Sequence, residues 1–169
     1  MNTEKTYQSI IKIVSNYSAQ LAMVDEHIFQ AKPPIGGWSL SEVYSHIFDS
    51  SLLSLMAIEK CTQGLGEQKK TLFVAKLLLL IGRFPLAKAP LKIADRVKKI
   101  TPNAAQQLIT DFELQLSKNY ASISKAEANN KIKHPRLGYL NATQWLRFIE
   151  IHLNHHLNQL HRINKSFKK

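Results

Sequence analysis

The chain of 169 residues predicts an all-α fold, a four-helix bundle with a long crossover between the second and third helices. Three observations carry this. Four long segments place apolar residues at three- and four-residue steps, the stripe of an amphipathic helix. A polar or Pro/Gly-rich break separates each from the next. No segment shows the strict alternation of a half-buried strand, and no internal repeat is present. The length suits one domain over residues 1–169 with a self-sufficient core, and the apolar share of 44% suits a globular protein.

The first helix is expected over residues 3–30, where Tyr7, Ile10, Ile11, Val14, Tyr17, Leu21, Val24 and Ile28 keep the helical step. Lys32-Pro-Pro-Ile-Gly-Gly37 ends it, because prolines and glycines do not extend a helix cheaply. The second starts at Ser39, with Glu42 three residues on as a capping box requires. Trp38 precedes the cap and is placed to staple onto Val43. The helix runs through Val43, Ile47 and Leu53 to about Cys61, and His46 projects from its second turn.

Residues 62–102 form the crossover. Gly64 and Gly66 open it, a basic and apolar stretch follows from Lys69 to Phe84, and Pro85 and Pro90 break it up. One short helix is expected at about 71–82. Its apolar residues exceed what one buried face needs. They suit the end of the bundle, a homodimer contact or a membrane surface, though so short a helix binds lipid weakly without other help.

Thr101-Pro102 sets an N-cap with proline at the first helical position. Leu108, Ile109, Phe112, Leu116, Tyr120 and Ile123 carry the third helix. A polar linker, Glu127 to Lys133, leads into the turn His134-Pro-Arg-Leu-Gly138. Asn141 with Gln144 is a second cap-box pair. The fourth helix then buries Leu146, Ile149, Leu153, Leu157, Leu160 and, near its end, Asn164.

The net charge is +11. Residues 1–60 hold four Lys/Arg against six Asp/Glu, so the excess belongs to the middle and C-terminal parts. Such a surface attracts phosphates or acidic membranes. Its lysines are scattered singly without interleaved aromatics, which makes nucleic acid the weaker reading. The single cysteine, Cys61, forbids an internal disulfide and fits a reducing, cytoplasmic setting. The beginning lacks the pattern of a secretory signal. The stretch 72–84 is too short and too charged to span a bilayer.

The chemistry concentrates in the last helix. His152 and His156 are four residues apart, hence on one face one turn apart, beside the apolar stripe. His155 lies about 60° to the other side of His152 and reaches the same place only by a different helix rotation. Two ligands rarely suffice for a metal ion. His46, the one histidine of the second helix, is the natural third if the two helices pack antiparallel. Parallel packing needs a longitudinal offset, and the sequence alone does not choose.

Gly36-Gly-Trp-Ser-Leu-Ser-Glu-Val-Tyr-Ser-His46 resembles the Trp-Ser…His signature of the DinB superfamily. Asn141-Ala-Thr-Gln-Trp145, followed by His152-x-x-His155-His156-Leu-x-Gln159, resembles its C-terminal signature, and the His134–Gly138 turn also fits. The resemblance spans nearly the whole chain in order and spacing. It implies a four-helix bundle with a long crossover and three metal ligands, which fall on His46, His152 and His156. The middle segment departs from the family in being unusually basic. The resemblance also implies thiol-dependent transferases and isomerases that use low-molecular-weight thiols.

Three neutral imidazoles suit zinc, nickel or another late divalent ion and leave a coordination position for water or substrate. That supports metal-assisted hydrolysis or activation of a thiol on a small-molecule substrate. Asp49, one turn beyond His46, is the candidate catalytic residue, placed to orient an imidazole or accept a proton; the plainer alternative is a solvated helix acid. Gln159 is placed to bond His156 or simply to cap the packing. Trp38 and Trp145 read as core anchors, Cys61 as an inert thiol, and His27, His134 and His161 as structural or surface residues. A different class of function stays open: a non-catalytic bundle that binds a small molecule or partner, through the basic segment 69–99.

Overall fold

The structure is a computed structural model that describes residues 2–84 and 97–168. Pro85 and Pro90, and the 85–96 part of the basic segment, lie outside the described residues. Among the described residues, six helices and one hairpin occur in the order α1 (Thr3–Met23), α2 (Glu26–Gln30), α3 (Leu40–Thr62), α4 (Phe73–Ile81), α5 (Pro102–Ile123), β1 (Ile132–His134), β2 (Gly138–Leu140) and α6 (Ala142–Ser166).

Helix starts follow the caps. Ser39 and Glu42 form a reciprocal capping box at α3, and Asn141 and Gln144 form one at α6. Thr101 accepts from the Ala104 amide, with Pro102 at the first helical position of α5. The expected single helix over 3–30 is instead two. Asp25 accepts from the His27 amide and caps a new five-residue helix, so the chain breaks at Val24–Asp25. The short crossover helix is present as α4, inside the range expected for it.

Two further details differ from expectation. Leu53 is 41% exposed. Its place on α3 is off the face of Ile47, and Ser51, Ser54, Leu55 and Ile58 carry that face instead. The His134–Gly138 turn closes an antiparallel hairpin with register Ile132↔Leu140 and His134↔Gly138. Three-residue strands are too short to show alternation. Gly138 has φ +73° in this hairpin, and a Cβ there would come within 2.8 Å of the Leu72 side chain.

The core lies among α1, α3, α5 and α6. Helices α3 and α1 each pack on both α5 and α6, which places α1 diagonal to α3. Directions follow from named contacts. Ser50 meets His152 and Cys61 meets Leu140, so α3 and α6 are antiparallel. The Tyr17 hydroxyl donates to the Leu153 carbonyl and Gln20 bonds His161, so α1 and α6 are parallel. Phe48 packs on Phe112, and Ser41 near the start of α3 donates to the Ile100 carbonyl just before α5, so α3 and α5 are parallel. Two consecutive bundle helices that run the same way need a connection back along the bundle. At about 1.5 Å per residue, the 23-residue α3 is roughly 35 Å long. The crossover is long for that reason.

The packed interior is aromatic near its middle. Tyr17, Tyr44, Phe48 and Phe112 are essentially inaccessible and meet at 5.3–6.2 Å, edge-on except for Tyr44 and Phe48, which stack. Tyr44 donates to the Tyr17 carbonyl at 2.8 Å. Helix α4 lies outside the bundle. It buries Ala75 and Leu79 against α6, and Arg147 donates to the Leu79 carbonyl at 3.2 Å.

Candidate metal centre

Antiparallel packing of α3 and α6 answers the question left open by the sequence. His46 sits seven residues into α3 and faces the middle of α6, where His152 and His156 project from consecutive turns. One donor nitrogen from each of the three lies within 4.8 Å of the others. The ring centroids are 4.9 Å apart for His46 and His156, 5.3 Å for His46 and His152, and 4.7 Å for His152 and His156. His155 stays outside this group; its ring packs edge-on against Phe84 at 5.5 Å and His156 at 5.0 Å.

The hydrogen bonds aim the rings. Gln159 Oε1 lies 2.8 Å from His156 Nδ1. An amide oxygen only accepts, so Nδ1 carries the proton and Nε2 keeps its lone pair. That Nε2 faces His152 Nε2 at 3.1 Å. A proton on His152, or a cation between the two nitrogens, is what makes this approach favourable. On the far side of His152, Nδ1 is 3.5 Å from Ser50 Oγ. Each α6 ligand candidate is therefore oriented from behind, the arrangement metal-binding imidazoles commonly have. Zinc–nitrogen bonds of about 2.0–2.1 Å place donors roughly 3–3.5 Å apart, and three nitrogens all within 4.8 Å of one another reach such an ion by a modest contraction of the group.

Burial keeps the donors neutral. It lowers His46, against the opposing pull of Asp49. It holds His152 well below the ordinary imidazole range, with His156 and His46 adding repulsion. His156 falls to about 3, through burial first and the charge of His46 second. Unprotonated nitrogen is the form that binds metal.

Aromatic rings wall the centre. Trp38 lies 5.0 Å from His46 and nearly parallel to His156 at 6.2 Å. Trp38 therefore faces the histidines as well as the core. Phe84 and Phe148 approach His152 at 5.8 and 5.3 Å. Trp145 is a core anchor, as expected.

Asp49 is half-buried on α3, and its charge acts on His46. His134 is structural: its Nδ1 accepts from the Arg136 and Leu137 amides at 3.1 Å each and so shapes the hairpin turn. Cys61 is buried, and desolvation pushes its thiol up to about 11, which fits an inert role. Ser50 was not among the residues expected at the site. Its signal was the four-residue step from His46, which puts both on one face of α3.

None of the curated proteins matches the chain in sequence. Solved structures do match in fold. A four-helix bundle protein, TT2238, is similar with TM-score 0.62 at 18% identity, over 95% of this chain and 99% of that one. YfiT from Bacillus subtilis, described as a probable metal-dependent hydrolase with an unusual four-helix bundle topology, is similar with TM-score 0.68 at 13% identity, over 98% and 87%. The mycothiol-dependent maleylpyruvate isomerase is similar with TM-score 0.60 at 15% identity, over 90% of this chain, which spans 58% of that longer one. The family model of the DinB superfamily matches residues 13–160, a span that contains all three facing histidines, and the chain belongs to that superfamily.

Proposed function

We propose that the protein is a metal-dependent enzyme of the hydrolase or thiol-transferase type, with one divalent ion held by His46, His152 and His156. The observation that carries this reading is the 3.1 Å approach of two imidazole Nε2 atoms while Gln159 holds the proton of one ring on its far side. Neutral nitrogens from two antiparallel helices suit zinc or nickel. Such an ion, when bound, supplies a Lewis acid that lowers the pKa of a water or a low-molecular-weight thiol beside it.

The chain's own residues then have definite tasks. Gln159 and Ser50 fix the ring planes of His156 and His152. Asp49 stabilises positive charge on the His46 side and is the candidate proton acceptor. Trp38, Phe84 and Phe148 exclude bulk water and present flat apolar walls to a small-molecule substrate. The YfiT and isomerase likenesses support the reaction classes named here. The lone buried cysteine supports a cytoplasmic setting.

Metal analysis of untagged protein purified without chelators tests the reading. One equivalent of zinc or nickel is expected, with His46→Ala losing both metal and turnover of ester or thiol-adduct substrates while its helical signal persists. A protein that takes up no divalent ion on soaking overturns it.

A further inference from the structure

Helix α4 presents its greasier side to solvent. Ala75 and Leu79, four residues apart, are the two side chains it buries. The opposite arc carries Phe73, Val74, Leu77, Leu80 and Ile81, with Leu72 just before the helix. Phe73 is 78% exposed and Leu80 is 80% exposed. By the helical step of about 100° per residue, these five span roughly 120° of the circumference. Isolated exposed leucines are ordinary, but a continuous ridge of this kind marks an interaction surface.

The charges around the ridge have one sign. Lys70, Lys76 and Arg83 are exposed at its start, flank and end. No Asp or Glu occurs anywhere from residue 68 to residue 94. We infer that α4 docks the protein on the surface of an anionic lipid bilayer, with the ridge among the acyl chains and the three cations at the headgroups. An apolar face rimmed by cations is the pattern of an interfacial helix. A bilayer accepts a convex ridge without a shaped groove. A second copy of this chain meets the patch less well, because a twofold contact brings Lys76 and Arg83 toward their own counterparts, and the segment from 68 to 94 has no acid of its own to set against them. Among the described residues, no helix is long and apolar enough to cross a membrane, so the association is peripheral. The inference is independent of the histidine centre, since its residues lie on the far side of α4 from α6.

Vesicle co-sedimentation tests it on the whole chain. Partitioning onto phosphatidylcholine vesicles containing phosphatidylserine is expected to exceed that onto phosphatidylcholine alone by about tenfold or more. It falls when salt rises from about 50 mM to about 500 mM, as the Debye length shrinks. Phe73→Glu with Leu80→Glu abolishes binding to both vesicle types. Lys70→Glu with Lys76→Glu removes the preference for the anionic one. These positions are exposed, and circular dichroism with a melting curve establishes that the variants are folded. Equal partitioning of wild type on the two vesicle types overturns the inference, as does undiminished binding by the Phe73/Leu80 variant. A wild-type mass of two copies that falls to one in that variant overturns it as well, and gives the ridge to a subunit contact.

Discussion

Replacing Gln159 with Leu removes the acceptor 2.8 Å from His156 Nδ1 while keeping a side chain of similar bulk. Two separable losses follow. His156 is 6% exposed, so water replaces the lost acceptor poorly. A buried donor left unpaired costs about 1–3 kcal/mol. For a chain of this size that is a fall of roughly 2–12 °C in melting temperature, present without any metal. The second loss concerns the ion. Without Gln159 the proton moves freely between the two ring nitrogens, and Nε2 is no longer held as a lone pair facing His152. Outer partners of ligand imidazoles are worth about 10–100-fold in affinity, or about 1.4–2.7 kcal/mol. Gln159→Glu keeps an oxygen acceptor in place, so its zinc affinity stays within a few-fold of wild type or rises. Competition against a chromophoric chelator measures all three proteins, and melting of the metal-free forms separates the two losses. Wild-type zinc affinity in Gln159→Leu refutes the tautomer argument. An equal loss in Gln159→Glu refutes it too, because disturbance of packing would then be the cause.

Other outcomes follow from the same geometry. His46→Ala, at a half-buried position, leaves the melting curve of the metal-free protein nearly unchanged but weakens zinc by more than the about 100-fold limit of an outer partner; the same chelator competition reads it. The metal-free protein keeps its full stability above about pH 6.5, where unfolded imidazoles are neutral. Because burial depresses His152 and His156 in the fold, the unfolded chain binds more protons as pH falls below that value. Stability then declines toward the folded value of about 3 for His156, with a slope of about 1.4 kcal/mol per pH unit for each histidine still neutral. Urea midpoints between about pH 7 and pH 5 check this, and a flat profile contradicts it. Phe112→Ala, at an inaccessible position edge-on to Phe48, costs about 3–5 kcal/mol in urea denaturation. A cost below about 1 kcal/mol would mean that α5 does not seat there as described.

The four bundle helices were legible because their stripes and caps agreed. Ser39, Thr101 and Asn141 each start a helix as read. The break at Val24–Asp25 was hidden because Val24 and Ile28 continue the apolar step across it; Asp25, a good cap inside a periodic run, was the available signal. The hairpin was hidden because strands this short have no period. The histidine triad was legible as residue types and spacing. The direction of packing was not, since a connection of this length permits either sense. It became visible through contacts distant in sequence, such as Ser50 with His152. Trp38 was read through its local cap, which gives no view of an α6 ring that approaches from across the bundle.

The paired capping boxes have a consequence for how this chain tolerates changes in length. Each fixes where a ligand-bearing helix begins, and so the rotational phase of every side chain after it. One residue inserted between Ser39 and His46, or between Asn141 and His152, swings the downstream imidazole by about 100° and moves it about 1.5 Å along the axis. The three rings would no longer converge, though both helices could still form. Extra residues placed upstream of either box, at Pro34–Gly37 or near Glu127, leave that phase untouched. Spacing from box to histidine is thus a ruler by which a related sequence can be sorted into those that keep the convergence and those that have lost it.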